Sequence, residues 1–263
     1  MRKCVFAYKN GAFITHLLCC KKDKILYSYF FTPHPSCYAR HLPLKVKAIK
    51  RRNMKDILLL GKKILADKSP VIFKYSPDEN WEKYWDIMTG QWKHEGGYLI
   101  GEERGNFGGI LMTKERFEED VMFSFTIGTV LPATRDVNAV FCANWNDGRD
   151  YLGESYVCGL NGWYEHKCGI ERNFGKGFGT NLYSTTSNYT YTPGSEVRMT
   201  CGAINGHTFM VVDDVLITEL IDPTPIRGGH LGFSAYCTKL KIKDIEVRRI
   251  VWEEFIQKYE PEF

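Results

Sequence analysis

The chain is 263 residues long, enough to bury one large core, and a single all-β domain of about 200–250 residues is ordinary. Aromatic residues make up 14% of it, with six Trp and fifteen Tyr, which suits strands and a wet binding face better than a helical bundle; no run approaches the roughly 20 apolar residues a membrane span needs. The formal net charge of +4 averages two unlike pieces: residues 1–53 hold twelve Lys/Arg against one Asp, a balance of +11, while residues 54–263 hold 23 basic and 30 acidic side chains, a balance of −7.

The basic first piece admits three readings. It is an upstream extension, disordered or placed by a mis-assigned start with Met54 as the alternative one, an arm for nucleic acid or an acidic membrane, or an ordered subdomain. Its only basic cluster is Lys45, Lys47, Lys50, Arg51 and Arg52. Residues 5–7 and 12–20 are apolar but interrupted by Lys9, Asn10 and His16, with no small-residue cleavage site, so no signal peptide is expected. Residues 54–70 carry Ile57, Leu58, Leu60, Ile64 and Leu65 ahead of Pro70, a spacing that predicts a short helix and linker.

From Val71 onward the chain reads as strand and turn. Residues 119–129 alternate Val121, Phe123, Phe125 and Ile127 with Met122, Ser124 and Thr126. Residues 137–145 place Val137, Ala139, Phe141, Ala143 and Trp145 on one side, and Asn138, Val140, Cys142 and Asn144 on the other. Residues 197–204, 208–212 and 215–220 are strand-like and joined by Asn205-Gly206 and Asp213-Asp214, which tolerate positive φ. Runs 231–237 and 240–247 follow Gly228-Gly229, and residues 251–263 form a polar tail. A meander of this kind needs a second sheet to cover its apolar face, so the fold class expected is an all-β sandwich of two antiparallel sheets spanning 71–250. Nine cysteines without a C-x-x-C pair give no zinc spacing. Cys142, Cys158, Cys168, Cys201 and Cys237 lie in strand-like runs as small hydrophobes. A reduced, cytoplasmic protein with no cofactor and no metal is the simplest expectation.

Two groups of motifs carry a resemblance. The opening has Trp85, then Gly90-Gln91-Trp92, then Gly96-Gly97-Tyr98-Leu99; the close has residues 211–216, Asp222-Pro223, residues 228–233 and residues 242–247. Together they resemble concanavalin A-like lectin/glucanase jelly rolls of the 3-keto-disaccharide hydrolase type. The middle, with residues 135–138, Asn161-Gly162-Trp163 and residues 169–172, is similar to uncharacterised bacterial relatives from pectin and rhamnogalacturonan utilisation clusters. The resemblance covers about 71–250 and leaves the basic N-terminal extension without a counterpart. It implies a concanavalin-like jelly roll with a groove on its concave sheet, a carbohydrate ligand, and no nucleic-acid or membrane partner. The laminarinase-like branch carries E-x-D-x-x-E on one strand; here Glu115, Glu118, Glu119 and Asp120 keep no such spacing, which disfavours that retaining mechanism.

Strand periodicity places Trp163, Glu165, Lys167 and Glu171 on one face and His166, Cys168, Ile170 and Arg172 on the other. Cys168 and Ile170 mark the second face as core. The catalytic candidates are therefore Glu165 and Glu171, with His166 as an acid/base near neutrality. Glu165 and Glu171 are about 20 Å apart on a straight strand, so a partner carboxylate from elsewhere is needed, with Glu154 and Asp136 as suspects. Each of these has a plainer reading as a solvated strand residue, and His166 one as a satisfied, partly buried imidazole. Substrate-binding candidates are Trp163 and Tyr183 for ring stacking, Asn138 and Asn144 for hydroxyls, and Arg172 for a uronate, unless its side chain faces the core and holds a carboxylate there. Gly175–Thr180 is glycine-rich without phosphate-loop order and is expected as a mobile rim. Glycoside cleavage by hydrolysis or elimination leads; a lectin-like binding domain using the same groove is the alternative.

Overall fold

The computed structural model describes residues 4–9, 12–17, 54–78, 80–103, 105, 108–149, 151–163, 166–176 and 180–256. The chain divides into units 1–53 and 54–263. In the first, strands Cys4–Lys9 and Ala12–Leu17 pair antiparallel.

The second unit is a β-sandwich. Its eight-stranded sheet runs Val215–Ile221, His207–Val212, Val197–Ile204, Val121–Thr129, Thr238–Arg249, Tyr98–Glu103, Gln91–Glu95, with Val71–Tyr75 also paired to Thr238–Arg249. Its seven-stranded sheet runs Leu182–Thr186, Lys167–Phe174, Glu154–Gly162, Val137–Ala143, His230–Ala235, Gly109–Thr113, Trp85–Ile87. All these pairings are antiparallel. Asn205-Gly206 and Asp213-Asp214 adopt positive φ, as the turn chemistry requires.

The alternation in the sequence becomes the core. Phe123, Phe125 and Ile127 of one sheet meet Phe141, Tyr156 and Phe233 of the other. The Phe125 and Phe233 rings cross edge to face with centroids 5.0 Å apart, a preferred aromatic geometry. Each fully buried large side chain contributes about 1.5–3 kcal/mol.

The predicted helix in 54–70 is instead a strand pair, Ile57–Leu59 and Lys62–Ile64, turned at Gly61 with φ +72°. Trp252–Glu254, at the start of the polar tail, adds a third strand to it, and residues 257–263 of that tail lie outside the described set. Ile57, Leu59 and Ile64 pack on Met122, Phe209 and Val211, which point outward from the eight-stranded sheet. Elsewhere that outer face carries ion pairs, Lys239–Glu102 and Glu196 with Lys241 and Lys243. The two lysines hold the Glu196 carboxyl down to about 2. One outer face of the sandwich is thereby covered or salt-bridged. The other, on the seven-stranded sheet, holds the groove. Among the described residues no helix is long and apolar enough to cross a membrane.

Candidate functional site

Strands Val137–Ala143, Glu154–Gly162, Lys167–Phe174 and His230–Ala235 lie side by side. Their inward residues, including Ala139, Cys158, Ile170 and Phe233, are core. Period two then sends Asn138, Val157, Glu171, Asn173 and Ser234 to the outer face, where they line a groove of about 430 Å³. Trp163, His166, Tyr151, Tyr183 and Tyr236 complete its walls with Arg135 and Asp136.

Glu171 is the best-held of the predicted acids. Its side chain lies between Trp163, whose Nε1 donates to Oε2 at 3.2 Å, and Asn181, whose Nδ2 donates to Oε1. Burial raises its carboxyl above the usual carboxylate range, and those two hydrogen bonds pull it part of the way back. Asn181 is itself fixed because its Oδ1 accepts the Phe174 amide at 3.2 Å. Tyr183 stands directly across the strand pairing from Glu171, so a ring flanks the carboxylate.

At the other end, Asp136 is buried, and desolvation raises its carboxyl against the pull of Arg135, Asn138 and His166. Arg135 Nε reaches Asp136 Oδ2 at 2.9 Å. Asn138, beside Asp136, is 7% exposed, and its Oδ1 has no partner among the described residues.

The groove wall is conformationally demanding. Asp136, Asn161, Trp163 and His166 all have positive φ, between 47° and 57°, a region that bulky residues avoid. Asn161 pins this turn by donating from Nδ2 to the carbonyls of Thr134 and Tyr191 and by accepting the Asp136 amide at its own carbonyl. Non-glycine residues held this way cost about 1–3 kcal/mol each and concentrate at functional sites. The Asn161-Gly162 turn signal in the sequence marked the place. The positive φ of Trp163 and His166 breaks the alternation assumed for 163–172, so His166 lines the groove and is exposed, neither core-facing nor partly buried. Glu165 lies outside the described residues, as do residues 177–179 of the glycine-rich segment.

Two predicted contacts are placed elsewhere. Arg172 points into the sandwich and is 2% exposed; its Nε donates to Asp222 Oδ2 at 2.9 Å and its Nη2 to Glu154 Oε1 at 2.8 Å. It follows Ile170 onto the core face, so it holds an internal carboxylate and is not a ligand contact. The same pairing takes Glu154 out of consideration as Glu171's partner. Asn144 is also absent from the groove. The pairing of Val137–Ala143 with His230–Ala235 shifts between Val140 and Ala143, where Cys142 has φ +47°. This bulge turns Ala143 outward, into the apolar cluster with Val140, Ile110 and Leu152. Asn144 is thrown beyond it and accepts Arg116 Nη1 at 2.7 Å through Oδ1.

Asn181, Tyr151 and Ser234 were not among the predicted site residues. Ser234 could have been found, because alternation puts it outward beside Asn138 in register. Asn181 had no signal: it precedes Leu182–Thr186 and reaches Glu171 through a loop.

The two described groove carboxylates are far apart. Glu171 pairs with Val157 and Val157 with Val140, so Asp136 lies two strands across and four residues along. At about 4.8 Å per strand and 3.4 Å per residue, the Cα separation is about 17 Å. Among the described residues no group of three or more His, Cys, Asp or Glu is placed to hold a metal.

No family model and no curated protein matches the chain. Among solved structures it is similar to a protein of unknown function with a galectin-like fold from Bacillus subtilis, at 14% identity and a TM-score of 0.56, covering 70% of this chain and 98% of that one. It is also similar to the carbohydrate binding module CBM66 from Bacillus subtilis, at 11% identity and a TM-score of 0.50, covering 62% and 94%. At these identities the likeness concerns the fold, and with the sheet order above it makes the second unit a jelly-roll β-sandwich of galectin-like fold.

Proposed function

We propose that the groove on the seven-stranded sheet binds an oligosaccharide, and that the protein acts as a lectin-like binding domain. The observation that carries this is the pairing of exposed rings with braced acceptors. Trp163 and Tyr183 flank Glu171, whose carboxylate is fixed by two donors and leaves its remaining lone pairs for hydroxyls. Sugars present apolar ring faces and hydroxyl edges, and a groove of aromatic faces with a few placed polar groups is complementary to both. The similarity in fold to a carbohydrate binding module supports the reading.

Cleavage of a glycosidic bond is the second reading, and one observation favours it: burial keeps the Glu171 carboxyl raised, as a general acid requires. It also requires a second carboxylate, about 5–5.5 Å away for retention or 6.5–9.5 Å for inversion. Asp136, about 17 Å away between Cα positions, stays beyond that spacing even with both side chains extended toward each other, which is why binding leads. Glu165 is the residue on which the cleavage reading depends. The resemblance to 3-keto-disaccharide hydrolases adds oxidised glycosides to the substrates worth testing.

The purified chain, mixed with neutral and acidic plant oligosaccharides and 3-keto glycosides, is followed by chromatography. Retention of intact sugar that Trp163→Ala abolishes is the expected result. Shorter products that vanish in Glu171→Gln or Glu165→Gln would replace binding with hydrolysis or elimination. Absence of both retention and products would end the carbohydrate reading.

A further inference from the structure

We propose that the Asp136–Asn138 end of the groove is an acceptor subsite for the hydroxyls of a neutral sugar and that the groove discriminates against uronates; this rests on the saccharide-binding reading above. Asn138 projects from Val137–Ala143 between Gly159 on one neighbouring strand and Ser234 on the other. Its side chain lies beside Asp136 in the groove wall. Oδ1 is buried and unpaired among the described residues. A buried acceptor without a donor is a standing penalty, removed when a ligand O–H or N–H reaches it.

The glycines beside it make room for the amide. A Cβ on Gly159 would sit 1.9 Å from Asn138 Oδ1, and one on Gly162 would sit 3.3 Å from Asp136 Oδ1 and 3.7 Å from Asn138 Oδ1. Any side chain at Gly159 would collide with the amide oxygen. The bare backbone there lets Asn138 lie in the groove floor with its oxygen against the neighbouring strand.

The charges of the groove set the sign of its preference. Its described acids are Asp136 and Glu171, at opposite ends, and both are buried. Its described bases are Arg135, already engaged with Asp136 at 2.9 Å, and His166 at the rim. The guanidinium that the sequence offered for a uronate, Arg172, is engaged by Asp222 inside the sandwich and by Glu154 at its surface. A ligand carboxylate entering the groove would therefore lose hydration, meet two like charges and find no unengaged guanidinium among the described residues. A hydroxyl finds acceptors at both ends. Neutral hydroxyl-rich sugars fit this arrangement, and pectic acids do not.

The test compares matched pairs: cello-, manno- and galactohexaose, each against its C6-oxidised uronate counterpart, titrated calorimetrically into the unmodified chain and into Asn138→Ala. At least one neutral hexaose is expected to bind, with its oxidised counterpart at least tenfold weaker. Asn138→Ala is expected to weaken the neutral ligand at least tenfold at an unchanged melting temperature. Equal or tighter binding of the oxidised member overturns the subsite while leaving a saccharide groove in place, and so does a folded Asn138→Ala that binds as before. If Asn138→Ala does not fold, the matched pairs on the unmodified chain decide alone. Failure of every hexaose and every uronate to bind overturns this inference together with the binding reading on which it rests.

Discussion

Replacing Arg172 with Leu separates the two roles open to it, because a ligand contact and an internal ion pair respond oppositely. In the structure Arg172 donates from Nε to Asp222 Oδ2 at 2.9 Å, from Nη2 to Glu154 Oε1 at 2.8 Å and from Nη1 to the Asn173 carbonyl, and its guanidinium lies 4.3 Å from the Phe174 ring centre. The Asp222 side chain has no exposed surface. It also accepts Tyr156 Oη at 2.7 Å and the Thr224 amide at 2.8 Å. Burial alone would raise its carboxyl, but the hydrogen bonds from Tyr156, Thr224 and Arg172 outweigh it and hold the group below its usual value. Arg172→Leu leaves that charge buried with only its neutral donors, a change that costs about 3–5 kcal/mol. For a unit of this size each kcal/mol moves the midpoint by about 2–4 °C, so a fall of about 6–20 °C is expected in a thermal melt. Adding Asp222→Asn, which removes the orphaned charge and keeps an acceptor for Thr224, should recover part of the loss. The double mutant is therefore less destabilised than the two single changes summed. Below its melting point Arg172→Leu should retain sugar. A variant that melts like the parent but no longer binds would refute the buried-pair reasoning and return Arg172 to the ligand.

The raised Glu171 carboxyl makes a pH prediction with a definite sign. A carboxyl raised in the folded state binds its proton more tightly there than in the unfolded chain. The stability it contributes is therefore present at low pH and is lost as pH rises from the unfolded value through the raised folded one. Urea unfolding of the parent and of Glu171→Gln across that window should show the parent losing stability relative to the variant as pH increases; a gap that moves the other way contradicts the burial argument. Gly229→Ala should destabilise by about 3 kcal/mol in the same assay. Gly229 has φ +148°, and a Cβ there would lie 2.3 Å from the Cys142 carbonyl carbon. A variant within about 0.5 kcal/mol of the parent, the range of ordinary surface changes, would mean the Cys142 bulge gives way freely.

Most of the sandwich was legible because its signals are local. The Asn205-Gly206 and Asp213-Asp214 turns and the alternation in 121–129 each depend on neighbours in sequence. Glu171 outward and Ile170 inward followed from the same rule. The misreadings have a common cause, which is partners distant in sequence. Ile57, Leu58, Leu60 and Ile64 suit either period, and Met122 and Phe209 offered a flat apolar surface that strands could cover. Arg172 is internal because Asp222, fifty residues on, waits there. Asn144 left the groove because the pairing shifts at Cys142, where the Gly229 backbone of the neighbouring segment lies close by, an effect no periodicity in 137–145 encodes.

That division also bears on why the seven-stranded sheet is the face to test. The inner residues of its strands are apolar, as stability requires, but Asn138, Glu171, Asn173 and Ser234 on the outer side are all at most 8% exposed and polar. Stability alone favours apolar side chains or solvated ones at such positions, because a buried polar group gains nothing until it is paired. The eight-stranded sheet follows that logic on its own outer face, with Met122, Phe209 and Val211 under a third sheet and Glu196 salt-bridged beyond it. On the seven-stranded sheet the polar row persists, is braced by Trp163 and Asn181, and leaves Asn138 Oδ1 unpaired. That unpaired oxygen is the penalty the proposed ligand would remove.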